Sequence, residues 1–132
     1  MDDGYSLLNK KILVTGSAGF IGCFLAKRLL ELDCVVLGID NLNDYYDASL
    51  KHARLKLLES YKQFRFVKAD ISDKDRMMEL FEEFKPDMVA HLAAQAGVRY
   101  SIENPDAYVK SNIVGYFNIL EACRRFKPEH LV

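Results

Sequence analysis

Apolar residues along the chain fall into two alternating patterns. Short apolar-rich stretches recur at Ile12 to Thr15, Cys34 to Ile39 (CVVLGI), Phe64 to Val67 and Asp87 to Leu92 (DMVAHL). The run Cys34 to Ile39 does not alternate in and out, as expected for a parallel strand covered on both faces. Between them, apolar residues recur every three or four positions. Ile21, Phe24, Leu25, Leu29 and Leu32 form one such stripe, with Lys27, Arg28 and Glu31 between. Ala48 to Tyr61 reads as a second helix, with Leu50, Leu57 and Tyr61 inward and Lys51, His52, Arg54 and Lys56 outward. A third is capped by Ser72 or Asp73, carries Met77, Leu80, Phe81 and Phe84 on one face, and stops at Lys85-Pro86. The longest helix spans Pro105 to Arg125, with Val109, Ile113, Tyr116, Leu120 and Cys123 on one stripe, and Lys127-Pro128 breaks it. Asn41 to Asp47 and Val98 to Asn104 read as loops, Met1 to Asn9 as a loose leader, and Leu131-Val132 as the opening of a fifth strand.

Strands alternating with helices predict an α/β fold: a doubly wound (Rossmann) parallel sheet with right-handed crossovers and helices on both faces. One domain over residues 10–132 is expected, truncated at the start of the fifth strand. In the order 3-2-1-4-5, the fourth strand would then be an unprotected edge, and such edges self-associate.

The stretch KILVTGSAGFIG, 11–22, organises the rest. Gly16, Gly19 and Gly22 follow a strand and open a helix. The first glycine permits a sharp turn, the second lets a pyrophosphate approach the backbone, and the third brings helix and strand close. The helix start then offers free N–H groups and a favourable dipole to an anion. Asp40 closes the second strand about 20 residues on, where a carboxylate accepts hydrogen bonds from both ribose hydroxyls and repels a 2′-phosphate. That favours NAD over NADP. Asp70-Ile71 closes the third strand, either receiving an adenine amino group or capping the next helix. Ala93-Ala94-Gln95 lies at the carboxyl edge of the fourth strand, where ligands sit in such sheets. Asn112 either bridges backbone groups beside the cofactor or is solvated. Arg99, with Tyr100 and Ser101, either pairs with an anionic substrate or is a surface charge.

Composition narrows the field. The 132 residues carry a formal net charge of −1, which gives no electrostatic case for nucleic acid or an anionic membrane. No apolar run approaches the ~20 residues that span a bilayer. The opening MDDGYSLLNK does not read as a secretory signal, and the scattered Cys23, Cys34 and Cys123 read as small buried apolar residues in a reducing cytoplasm. No metal site is expected. His91, within an apolar strand, reads as a satisfied core histidine.

VTGSAGFIG at 14–22, Asp40-Asn41, Ala69-Asp70-Ile71, HLAAQAGVRYSIENP at 91–105 and SNIVGYFNILEACR at 111–124 together resemble the extended short-chain dehydrogenase/reductases acting on nucleotide sugars. The runs at 40–55 and 95–105 look most like the UDP-glucuronate 4-epimerases. The resemblance implies a tightly held NAD that oxidises a sugar C4 hydroxyl and returns the hydride to the other face. It places Gly16, Gly19, Phe20, Ile21 and Gly22 on the pyrophosphate, Asp40 and Asn41 on the ribose, and Asp70 and Ile71 on the adenine. Leu92, Ala93, Ala94 and Gln95 would line the nicotinamide side, supported by Asn112. Arg99, Tyr100 and Ser101 would approach a UDP-sugar, UDP-glucuronate or galacturonate, in polysaccharide biosynthesis.

One departure limits that picture. The family uses a Tyr whose acidity is raised by a Lys four residues on, yet none of the seven tyrosines here has a lysine at that spacing. No catalytic residue is therefore expected within the chain, nor the C-terminal substrate domain. The expectation is an N-terminal cofactor-binding part that binds NAD weakly, self-associates, and is inactive alone. The alternatives are part of a nucleotide-sugar 4,6-dehydratase, or a stand-alone dinucleotide-binding or interaction module.

Overall fold

The computed structural model describes residues 6–132. The apolar runs become strands β1 (Lys11–Thr15), β2 (Val35–Asp40), β3 (Phe64–Lys68) and β4 (Met88–His91), with a short β5 (His130–Leu131). Helices α1 (Phe20–Glu31), α2 (Ala48–Glu59) and α3 (Lys74–Phe84) alternate with the first four strands. After β4 come α4 (Val98–Glu103), α5 (Pro105–Tyr108), a π-helical segment (Val109–Gly115) and α6 (Tyr116–Phe126). All strand pairs are parallel, in the order β3-β2-β1-β4-β5. The doubly wound sheet expected from the alternation is therefore present, with β1 at its centre.

The core forms two layers. Ile12, Val14 and Val36 point to one face, against Cys23, Ala26, Leu29 and Leu30 of α1 and Leu58 of α2. Leu13, Leu37, Ile39 and Val89 point to the other, against Met77, Leu80 and Phe81 of α3 and Ile119 and Ala122 of α6. Helix α3 follows its predicted stripe, and Asp73 is its cap, accepting from the Arg76 amide at 3.0 Å. Cys23 and Cys34 are buried as expected, whereas Cys123 is only half-buried.

Three helices rotate away from the faces predicted for them. In α1, Ile21, Phe24 and Leu32 are exposed, and the small residues Gly22, Cys23 and Ala26 meet the sheet with Leu29 and Leu30. The cause is proximity: a Cβ at Gly22 would lie 2.0 Å from the Gly16 carbonyl oxygen, so the helix start sits too close for large side chains. In α2, Leu50 and Leu57 face out while Leu55, Leu58 and Lys51 are buried. In α6 the buried residues are Asn118, Ile119 and Ala122, and Val109, Ile113, Tyr116 and Leu120 are exposed. The π-helical segment upstream widens the turn, so an i, i+3, i+4 count carried across it loses phase.

Other corrections are local. Residues 98–104 are not a plain loop, since α4 occupies most of them. The long helix is not continuous either: it begins afresh at Pro105 behind Asn104, whose side chain accepts from Ala107 N. Strand β4 is not left bare. It pairs with β5 (Met88 with His130, Val89 with Leu131), and Val132 extends the ladder through a 2.7 Å bond from His91 N. The first five residues of the predicted leader lie outside the described residues. The rest of it is docked rather than loose: Asn9 N donates to Asp33 O at 3.0 Å and Leu7 packs on the core.

Candidate functional site

At the carboxyl end of β1 the chain turns through Gly16, whose φ of +71° disfavours any residue with a Cβ. A Cβ there would also lie 2.9 Å from Ala93 N. Gly16 N and Ser17 N both donate to Ile39 O, at 2.8 and 3.2 Å, which ties the turn to β2. Helix α1 then starts behind Gly19 with no side-chain cap and no acidic residue in its first turn. The amides of Phe20, Ile21 and Gly22 precede the first intrahelical donor, Cys23 N, which bonds to Gly19 O, so this end of the 12-residue helix keeps its positive character. A pyrophosphate is the kind of group such an end accepts.

Asp40 ends β2 with 6% of its surface exposed. Its Oδ2 accepts from Ala18 N at 3.1 Å, and its Oδ1 from Leu42 N at 2.8 Å and Lys51 Nζ at 3.1 Å. Lys51 also donates to Asn43 Oδ1 at 3.4 Å. By its spacing on α2, Lys51 is expected to face outward. Its only signal was a place three residues before Arg54 on the same helix; Arg54 also turns inward, donating to Ala18 O at 3.2 Å.

Asp70 does not cap α3, because Asp73 does. Its Oδ1 accepts from Ser72 N at 2.9 Å and from the Ser72 hydroxyl at 2.7 Å, and its Oδ2 lies 3.4 Å from Lys110 Nζ. Burial pulls the Asp70 carboxyl upward, but Ser72, Asn41 and Lys110 together hold it below the usual value. Ile71 is buried against Gly115, where a Cβ would meet the Ile71 Cδ1 at 2.6 Å, so the glycine lets the helix approach this loop.

At the end of β4, the Thr15 hydroxyl oxygen accepts from Leu92 N at 3.0 Å and Ala93 N at 3.1 Å. Its own proton is then left for His91 Nδ1, 2.7 Å away, which assigns the neutral ring with its proton on Nε2. Burial pushes the His91 pKa down, in keeping with that form. The imidazole also stacks on Tyr116 at 5.5 Å. Asn112, on the π-helical segment, behaves like a peptide group. It accepts from Gln95 N at 2.9 Å and donates to Gln95 O at 3.0 Å. It thus bridges backbone groups at the end of β4.

These pieces enclose a cleft of about 380 Å³ across the carboxyl edge of the sheet. Of the residues singled out from the sequence, Gly16, Gly19, Phe20, Asp40, Asn41, Ile71, Leu92, Ala93, Ala94 and Gln95 line it. Ile21, Gly22, Asp70 and Asn112 support it from outside that lining. Arg99, Tyr100 and Ser101 do not line it. They sit on α4, with Arg99 exposed and the Ser101 hydroxyl bonded back to Val98 O. Tyr45, Tyr46, Lys51, Arg54 and Ser111 line the cleft and were not singled out. Among the described residues no three His, Cys, Asp or Glu side chains cluster as a metal site, and no helix is long and apolar enough to cross a membrane.

A family model described as GDP-mannose 4,6 dehydratase matches residues 13–131. An uncharacterised protein of Methanocaldococcus jannaschii is 51% identical over 93% of this chain and 38% of its own length. UDP-glucuronate 4-epimerase 3 of Arabidopsis thaliana is 51% identical over 89% of this chain and 27% of its own. Among solved structures, a UDP-glucuronic acid 4-epimerase variant from Bacillus cereus, in complex with UDP-4-deoxy-4-fluoro-glucuronic acid and NAD, superposes with a TM-score of 0.79. It is 40% identical, over 86% of this chain and 36% of that one. The chain thus spans between 27% and 38% of the length of these relatives.

Proposed function

The chain belongs to the family that the GDP-mannose 4,6 dehydratase model describes, and from that premise we propose that residues 10–132 form the NAD-binding part of a nucleotide-sugar epimerase. The observation that carries the reading is one arrangement: the uncapped start of α1 behind the Gly16 turn, with the Asp40 carboxylate beside it at the end of β2. A dinucleotide needs both, an anion site and a carboxylate for a ribose, at the switch between β1's two neighbours.

Gly16, Gly19, Phe20, Ile21 and Gly22 would hold the pyrophosphate, Asp40 and Asn41 the adenosine ribose, and Asp70 and Ile71 the adenine. Leu92 to Gln95, braced by Thr15 and Asn112, would present a small-residue wall to the nicotinamide half. NAD, when bound, supplies reversible hydride transfer at a sugar carbon.

The substrate reading is UDP-glucuronate, supported by the names of relatives at about half identity. Arg99 is the cation this reading would assign to an anionic sugar. A second reading, a nucleotide-sugar 4,6-dehydratase, draws on the family model's own description. No tyrosine here is followed four residues on by a lysine, so these residues alone are expected to bind cofactor without turning over sugar. The proposal includes a cytoplasmic setting and self-association through the exposed apolar face of α6.

Calorimetric titration with NAD tests the reading. Saturable binding that Gly16→Val abolishes is the expected result; folded protein giving no heat with NAD would overturn it.

A further inference from the structure

Two loops face each other across the cleft. Residues 41–47 follow β2 and residues 92–97 follow β4, and the sheet order sets these strands on either side of β1. The first loop is pinned at its base: Leu42 N and Lys51 hold Asp40, and Lys51 holds Asn43. Its tip reaches over through a tyrosine. The Tyr45 ring lies 4.5 Å from that of Tyr100 on α4, tilted by 35°, and Tyr46 packs edge-on to Tyr45 at 4.7 Å. Tyr108 stands 6.2 Å from Tyr100 on the far side.

The β4 side of this contact is anchored by hydrogen bonds. Asn104 Nδ2 donates to the Tyr100 hydroxyl at 2.9 Å, and the Tyr108 hydroxyl donates to Ala96 O at 2.9 Å and also meets Gly97 O. Gly97 makes room for the first loop. Its φ is +101°, and a Cβ there would lie 2.4 Å from the Tyr45 hydroxyl oxygen. Tyr45 and Ala96 both line the cleft, so the contact sits at its mouth.

We propose that Tyr45 and Tyr100 are positioning residues that clasp the two loops together over the cofactor cleft and so set how slowly NAD leaves. The inference rests on the cofactor reading above. A dinucleotide at the carboxyl edge of the sheet would pass between these loops, both of which line the cleft. To escape, it requires the rings to part, and the aromatic contact opposes that. The effect falls mainly on the dissociation rate, where changes around a formed complex usually appear.

The test is a double-mutant cycle on the chain with NAD, joined to amide hydrogen exchange on the chain without it. Tyr45→Ala and Tyr100→Ala are each expected to speed NAD dissociation about tenfold. The double variant is expected to be no faster than either, because both changes break one contact. Tyr45→Phe and Tyr100→Phe keep the rings and are expected to hold dissociation within about twofold of the parent. Tyr100→Ala is further expected to accelerate exchange at residues 43–47, on the loop it does not belong to. Multiplying effects in the double variant, or unchanged exchange at 43–47, would overturn the clasp. If the parent chain takes up no NAD the cofactor reading fails, and the exchange arm still decides whether the loops are tied.

Discussion

Lys51 sets its ammonium 3.1 Å from the Asp40 carboxylate, with 11% and 5% of the two side chains exposed. The carboxylate that would hold a ribose is therefore already charge-balanced by the protein. Repulsion of a 2′-phosphate by Asp40, the argument available from sequence, is offset by this cation and by Arg54 nearby. Removing one partner of a buried pair costs about 3–5 kcal/mol. Lys51→Met and Asp40→Asn should each lower stability by about that much in chemical denaturation, and the double variant by less than the sum. Asp40→Asn should also raise affinity for NADP relative to NAD, and adding Lys51→Met should remove that gain. Calorimetry with both cofactors reads the ratio.

Asn112 and Gln95 exchange two hydrogen bonds, one in each direction. Asn112→Asp keeps the acceptor but turns an oxygen toward the Gln95 carbonyl. It should destabilise the chain by about 1–3 kcal/mol, more than Asn112→Ala, because repulsion is added to a lost bond. NAD affinity should fall with it, through movement of the Ala93–Gln95 wall. Equal effects from the two variants in parallel melts would count against the peptide-like role.

His91 is neutral in the fold and its pKa lies below the 6.5 of a free imidazole because of burial. Below pH 6.5 the unfolded chain then binds a proton that the folded chain does not. The contribution of His91 is complete above about pH 6.5 and is lost as pH falls through the lower folded value. Melting temperature should drop across that interval. His91→Gln should flatten this part of the profile. Thr15→Val should lower stability at every pH, since Ala93 N loses its acceptor and Leu92 N keeps only the longer 3.3 Å bond to Thr15 O. An unchanged pH profile in His91→Gln would exclude the histidine as its source.

Ile113, Val114, Phe117 and Leu120 form an exposed apolar face along the π-helical segment and α6, with Phe117 54% exposed. Such faces mark association sites. Sedimentation should detect concentration-dependent self-association, and Phe117→Lys with Ile113→Glu should shift it to monomer without loss of helicity. A monomer at high concentration in the parent chain would remove this part of the proposal.

The strand–turn–helix at 11–22 and the carboxylates that end β2 and follow β3 were legible because each depends on near neighbours in sequence, and the parallel sheet because strands alternate with helices along the chain. A glycine with φ of +71° and an apolar run covered on both faces announce themselves locally. Asn112 could be picked out as a polar residue in an apolar neighbourhood, though not its two bonds to Gln95.

The helix faces were decided by the tertiary structure. The apolar residues of α1 allow more than one buried stripe, and the close approach of Gly22 to Gly16 selects the one with small residues. Seven residues of π-helix shift the phase of α6, and no count along the chain reveals them. Lys51 reads as a surface lysine until folding brings Asp40 within 3.1 Å of it. Tyr45 and Tyr100, far apart in sequence, meet only because the sheet sets β2 and β4 on either side of β1. Local backbone preference and hydrophobic periodicity thus determined which elements form and where a dinucleotide would lie. Which side chains close that site depended on contacts between distant segments, which exist only once the sheet is assembled.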